Sequence, residues 1–274
     1  MTAQPNRIEI PAFPGGKRIA VTTSWDDGQV FDRWVVEVLN KLGMKGTFNL
    51  NSGWLGRTGG PNPASKGTLD AAEVAALYAG HEVAVHTVTH PSLALLDAAQ
   101  IVNEVLEDRR ALEELVGYPV RGMAYPNGSY DARVIEALRA TGIVYSRTTE
   151  ANVTAFPPSE PLAWATTLHA LHGLLERWNA FYPNRWSHGV FYVWGHSYEF
   201  ENDRDALERL FTPLSGLPDV WYCTNIELFD YAYARHRLVI AANKQSVFNP
   251  SAQPVTLRID GQLHEVPAGL TRLE

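Results

Sequence analysis

Strand-like apolar runs and stretches with helical apolar spacing alternate some seven or eight times along this chain, and that order leaves few folds open. Residues 18–23, 45–50, 82–85, 121–124, 143–146, 162–166, 190–194 and 220–224 read as strands. Between and after them, residues 30–42, 71–79, 93–116, 132–140, 168–181, 205–211 and 226–235 read as helices. The first helix carries Val35, Val38, Leu39 and Leu42 on one face and stops at Gly43. The longest carries Ile101, Val105, Leu112 and Leu115 and stops at Gly117. Such alternation predicts an α/β fold, a parallel sheet with helices outside it, and at 274 residues the sheet closes naturally into a barrel. From Leu238 onward the pattern changes to short strands and a hairpin at Asp260-Gly261. The expected division is therefore a barrel over residues 1–236 and a small β appendage over 237–274, too small to stand alone and packed on the barrel.

Composition narrows the partners. The net charge is −7 and no basic run occurs, which argues against nucleic acid and against an anionic membrane surface. No segment has the ~18 apolar residues of a membrane span. The start, Met1 to Arg7, lacks an apolar stretch of signal-peptide length, so the expected location is cytoplasmic and the expected substrate small or soluble. The one cysteine, Cys223, follows Val220-Trp-Tyr and reads as a buried apolar residue, with no intrachain disulfide possible.

The chemistry concentrates at predicted strand ends. Ser24-Trp25-Asp26-Asp27-Gly28 leaves the first strand with two adjacent carboxylates, which repel unless a cation sits beside them. An Asp-Gly pair is also a common turn former. His86-Thr-Val-Thr-His90-Pro91 leaves the third strand, and Pro91 disfavours helix at His90, so a turn must bring the two rings together. Two imidazoles and one carboxylate are the ligand set of a catalytic Zn²⁺ or of a non-haem Fe²⁺. Asp26, Asp27, His86, Tyr125 and His196 all fall just after predicted strands, where barrels of this kind carry their chemistry.

Together, Thr23-Ser-Trp-Asp26-Asp27-Gly28, His86-Thr-Val-Thr-His90, Arg121-Gly-Met-Ala-Tyr125-Pro126-Asn127-Gly128 and Trp194-Gly-His196-Ser resemble the polysaccharide deacetylases, the NodB-homology group of carbohydrate esterase family four. The resemblance covers roughly residues 18 to 235. It implies a distorted (β/α) barrel of about seven strands, in keeping with the alternation. It implies hydrolytic removal of acetyl groups from N- or O-acetylated sugars, with one divalent metal ion, Zn²⁺, held by Asp27, His86 and His90. Water activated by the metal is then the nucleophile, Asp26 the general base and His196 the general acid. Arg121 is implied to steady the base, and the Tyr125–Asn127 turn to supply an oxyanion N–H. Two departures stand out. Tyr125 precedes the proline where the family often has Arg-Pro-Pro-Tyr-Gly. The family's Asp-containing stretch before a Trp is missing, and Tyr145-Ser-Arg147-Thr-Thr149 stands near its place. Whatever orients His196 must therefore differ, and Glu199 is the acid nearest in sequence.

The loop over residues 51–68 and the stretch 149–161 are expected to wall the substrate groove, with Trp54 facing the sugar and Asn51 and Asn127 binding it. His169, at the start of a predicted helix, is a lesser candidate for lining the pocket. His81 precedes a strand and belongs at the opposite end, while His188, His236 and His264 read as non-functional. Rival readings are a metal-dependent hydrolase of a small cyclic amide, a non-catalytic carbohydrate-binding relative, and an Fe²⁺ oxygenase. The adjacent Asp26 has no obvious use in the last, and binding alone needs neither Asp26 nor His196.

Overall fold

The structure, a computed structural model, describes residues 7–59, 66–184 and 186–273. Fourteen strands occur among them: β1 Ile8–Glu9, β2 Ile19–Asp26, β3 Thr47–Leu50, β4 Glu82–Val85, β5 Gly122–Ala124, β6 Tyr145–Arg147, β7 Leu168–His169, β8 Gly189–His196, β9 Val220–Tyr222, β10 Val239–Ile240, β11 Ser246–Asn249, β12 Val255–Ile259, β13 Gln262–Val266 and β14 Gly269–Arg272. The α-helices are α1 Asp32–Lys41, α2 Val74–Leu77, α3 Ala98–Val116, α4 Ala132–Leu138, α5 Leu174–Phe181, α6 Asp205–Phe211 and α7 Asn225–His236.

Seven parallel strands run in the order β6-β5-β4-β3-β2-β8-β7, and β9 pairs with the first residues of β2. The fold is thus a distorted (β/α) barrel. All eight residues of β2 are buried, as expected of a strand covered on both faces. Residues 164–169 bridge the gap between β6 and β8: Trp164 N–H donates to Ser146 O, and Thr167 N–H donates to Tyr192 O. The register of β2 matters most for the site. Asp26 pairs with Asn49 on one side and with His196 on the other.

Several boundaries differ from the sequence reading. Residues 162–166 form no strand; a 3-10 turn, Pro161–Ala163, leads instead into β7, where the start of a helix was expected. Pro161 has no N–H to give a ladder, and the backbone of Trp164 to Thr167 is used up in the bridge just described. The following helix, α5, starts only after Gly173, which adopts φ 74°. The long helix starts at Ala98 rather than Leu93, because Asp97 and Gln100 form a reciprocal cap there. The strand expected over 143–146 lies over Tyr145–Arg147, which carries Arg147 into the barrel wall.

The appendage consists of two three-stranded sheets, β1-β12-β13 and β10-β11-β14. Residues 8–9 therefore pair within the appendage, although the chain divides near residue 236 by pattern. Tyr231 and Ala234 of α7 pack with Val255, Trp221 and Leu238, and Arg235 donates to the carbonyls of Ile10 and Pro11. Among the described residues no helix is long and apolar enough to cross a membrane.

Candidate active site

Asp26 is the last residue of β2 and still extended, so its side chain points into the barrel and is 3% exposed. Asp27 then turns to φ 80°, an arrangement Asp tolerates better than most residues, and Gly28 follows at φ 62°. That break in the pleat sends the two carboxylates different ways. Asp26 accepts from Asn49 Nδ2 at 2.8 Å and from Arg147 Nη2 through both oxygens. Burial alone would raise its pKa. Arg147, with His86 and His196, outweighs burial and holds the carboxyl well below the usual carboxylate range.

Asp27 faces the histidines. Its Oδ1 is buried, has no hydrogen-bond partner, and lies 3.6 Å from His86 Nε2 and 3.6 Å from His90 Nε2. The turn between the histidines has positive φ at Thr87 and His90, and it converges the rings to 4.8 Å between centroids. Asn51 Nδ2 donates to Thr87 O at 2.9 Å and also to His86 O, which pins this turn from below. Asp108, buried on α3, accepts the N–H of His86 at 3.0 Å and the N–H of Ser52 at 2.7 Å. His86 Nδ1 lies 2.8 Å from Ala124 O and must donate to it. That places the ring's lone pair on Nε2, towards Asp27. Burial first, and the neighbouring His90, push His86 down to about 4, so the imidazole is neutral at neutral pH. An orphaned carboxylate oxygen and two imidazoles, all within 4.8 Å of one another, fit a small divalent metal.

His196 ends β8 directly across from Asp26, with Nε2 4.0 Å from Asp26 Oδ2. Its Nδ1 lies 3.5 Å from Glu199 Oε1. Burial would lower the His196 pKa, but Glu199, Asp26 and Asp27 raise it overall. These groups meet in a cavity of about 350 Å³ lined by both aspartates, His86, His90, His196 and the aromatic residues Trp54, Tyr125, Trp194 and Tyr198.

The structure assembles Asp26, Asp27, His86, His90 and His196 in one place, and moves others elsewhere. Arg121 does not reach Asp26; it donates to Asp230 on α7 at 2.8 and 2.6 Å. It precedes β5, whereas Arg147 ends the neighbouring strand β6 and takes the position beside the carboxylate. Asn51 donates its amide N–H groups to the His86 and Thr87 carbonyls and is not among the residues lining the cavity. Trp54 lines the cavity but is only 5% exposed, its ring tilted against His90 at 4.9 Å. Tyr125 lines the cavity with its hydroxyl donating to Leu162 O at 2.6 Å, and burial pushes that phenol far up. The Tyr125 hydroxyl thus stays protonated at neutral pH and is committed to the Leu162 carbonyl. Its N–H donates to Arg147 O and Pro126 has none, so of this turn only the Asn127 N–H remains for an oxyanion. Of the stretch 149–161, Thr149 reaches the cavity, while residues 154–157 line a separate hollow with Phe13 and Arg235. In the loop over 51–68, residues 60–65 lie outside the described residues. His81 packs at the far end, accepting from Gly46 N–H, and Cys223 is buried.

Paired carboxylates, converging imidazoles and a neighbouring histidine thus stand together at the strand ends of the barrel. The polysaccharide deacetylase family matches residues 14–146. Peptidoglycan-N-acetylglucosamine deacetylase PgdA of Listeria monocytogenes is 29% identical over 151 residues, 53% of this chain and 30% of that protein. The chain thus spans less than a third of the length of this curated relative. Among solved structures, Puue allantoinase superposes with a TM-score of 0.62 at 14% identity, over 82% of this chain and 93% of its own. A CE4-family pseudoenzyme from Bacillus anthracis superposes at 0.50 and 17% identity, over 79% and 66%. At such identities these two show a shared fold. Residues 14–146 are thus similar to the polysaccharide deacetylase family.

Proposed function

We propose that this site removes an acetyl group from an N- or O-acetylated sugar. The observation that carries the reading is the pairing of Asp26 and His196, register partners on adjacent strands with Nε2 4.0 Å from Oδ2, on the wall of the cavity beside the Asp27–His86–His90 cluster. Asp27, His86 and His90 would hold a divalent ion, Zn²⁺ by the chemistry of two imidazoles and a carboxylate. When bound, that ion supplies Lewis-acid polarisation of the acetyl carbonyl and a lowered pKa for water.

The chain's own residues supply the rest. Asp26, kept ionised by Arg147 and Asn49, accepts the proton of the attacking water. His196, whose pKa is raised, donates its Nε2 proton to the departing amine or alkoxide. Asn127 lines the cavity at φ 57°, and its N–H serves as the donor to the developing oxyanion. Trp194 and Tyr198 offer apolar faces to a sugar ring.

Hydrolysis of a small cyclic amide would use the same groups, and a cavity of about 350 Å³ admits a small heterocycle as readily as one sugar ring. The experiment is a screen of acetylated mono- and oligosaccharides and of cyclic amides with metal-reconstituted protein, reading acetate release against ring opening. Acetate release that disappears on chelation and in Asp26→Asn is expected. Ring opening without acetate release would replace the sugar reading with the amide one.

A further inference from the structure

We propose that His169 is a positioning residue for His196, acting through Glu199 in a buried chain His169–Glu199–His196. The inference rests on the reaction proposed above and names how its acid is held.

Glu199 comes from the turn that directly follows His196, and its Oε2 accepts the His196 N–H at 2.9 Å. The carboxylate is thereby folded back over its own turn, leaving Oε1 3.5 Å from His196 Nδ1 and 3.2 Å from His169 Nε2. His169 arrives from a different strand, β7, where it pairs in register with Trp194, two residues before His196. Its ring meets Trp194 edge-on at 4.6 Å and is 8% exposed. Nothing in the proposed reaction requires a histidine there.

The tautomer of His169 decides its role. His169, Glu199 and His196 also present ligand atoms within 4.8 Å of one another, a set that resembles a second metal site. But His169 Nδ1 accepts the Leu171 N–H at 3.3 Å, so in the neutral ring the proton sits on Nε2 and points at Glu199 Oε1. A protonated Nε2 donates a hydrogen bond and has no lone pair for a metal. Glu199 thus receives one N–H from His169 and one from the His196 backbone, and its remaining capacity faces His196 Nδ1.

The titratable and charged groups facing His196 are Asp26 at the end of β2, Asp27 in the turn after it, Glu199 and Tyr198 from its own turn and His169 from β7; Arg147 is bonded to Asp26. His196 Nδ1 is buried, has no hydrogen-bond partner and lies 3.5 Å from Glu199 Oε1; a small shift of the held carboxylate gives Nδ1–H its acceptor and leaves Nε2–H directed towards the cavity. After it gives the Nε2 proton to the leaving group, Nδ1–H stays in place, and no proton leaves His169. Without His169, Glu199 is a largely buried carboxylate with one donor fewer, and its rotamer is no longer fixed against His196.

The test uses Zn²⁺-loaded protein labelled at histidine ring nitrogens, comparing wild type, His169→Ala, His169→Gln and Glu199→Gln. We expect His196 to titrate at lower pH in His169→Ala and lower still in Glu199→Gln, with His169→Gln, which retains an N–H donor, close to wild type. With an N-acetyl substrate, His169→Ala should lose about 10–100-fold in kcat, the usual cost of removing a supporting hydrogen bond from a functional imidazole, with KM unchanged. An aryl acetate, whose leaving group departs without protonation, should be little affected. Unchanged His196 titration in both His169→Ala and Glu199→Gln would overturn the proposal. So would a second Zn²⁺ per chain that His169→Ala abolishes. Should wild type release no acetate while the titration shifts follow the expected order, the chain stands and the deacetylase reading falls. If His169→Ala does not fold, the His169→Gln and Glu199→Gln titrations carry the same comparison.

Discussion

Arg147 and Asp26 form a buried ion pair at the centre of the site, one guanidinium nitrogen donating to both carboxylate oxygens with neither side chain open to solvent. The guanidinium also lies over the Trp194 ring at 4.5 Å, so it fills the space between the base and the cavity wall. Removing one partner of such a pair strands a charge where burial penalises it. Arg147→Met should destabilise the fold by about 3–5 kcal/mol and raise the Asp26 pKa. Arg121→Ala breaks only the partly exposed pair with Asp230 and should cost about 1 kcal/mol or less with activity retained. Urea melts and acetate release on the two variants make the comparison. Loss of activity in Arg121→Ala with Arg147→Met unaffected would restore the arginine to the position the motif implied.

Metal content separates the two adjacent aspartates. Asp27 Oδ1 stands between the His86 and His90 rings, while Asp26 is committed to Asn49 and Arg147. Asp27→Asn, His86→Ala and His90→Ala should each lose most bound metal on dialysis. Asp26→Asn should retain it and lose activity by about 10²–10⁴-fold, the usual contribution of a general base. Elemental analysis set beside rates reads this directly. Metal lost from Asp26→Asn but kept by Asp27→Asn would reverse the two roles.

Trp54 tests whether an aromatic in the cavity serves the ligand or the metal. Its ring is almost sealed and packs on His90. Trp54→Ala should therefore loosen His90 and weaken metal affinity about 10–100-fold, as loss of an outer support for a ligating imidazole does. A raised KM at saturating metal, with metal affinity unchanged, would return Trp54 to the sugar-facing role expected from its place in the loop.

These residues also show where the sequence was readable. Asp26, Asp27, His86, His90 and His196 could be placed because each follows a strand signal, and the barrel then brings strand ends together whatever the loops do. Arg121 misled because a motif gives neighbours along the chain, whereas the partner of Asp26 is set by barrel closure. A shift of the sixth strand to Tyr145–Arg147 decides which arginine reaches the carboxylate, and boundary shifts of that size have no local signature. An arginine in an otherwise buried strand end, Tyr145-Ser146-Arg147, was the one available sign, since a buried guanidinium demands an acid. The two-residue strand carrying His169 is too short to show any period, and so His169 read as the start of a helix. Glu199 could be noted only as nearby, because its return onto His196 depends on the turn between them.

Glu82 gives a pH prediction at the other end of β4, away from the site. Its carboxyl accepts from Tyr145 Oη at 2.7 Å, Thr47 Oγ1 at 2.9 Å and Ile226 N–H at 2.8 Å. Full burial nonetheless pushes it up from 4.5 to about 7. A carboxyl whose pKa is higher folded than unfolded binds its proton more tightly in the folded chain. Its contribution to stability is complete below the unfolded value and is lost as pH rises through about 7. Between pH 5 and pH 8, by about 3 kcal/mol at most, wild type should lose stability that Glu82→Gln, with nothing to titrate, does not lose. Asp32 and Asp108 are also raised to about 7 by burial, so both proteins carry their slope, and the difference between the two belongs to Glu82. Urea midpoints for both proteins across that range provide the measurement. Parallel curves would mean that the three donors keep Glu82 ionised in the fold and that burial does not win.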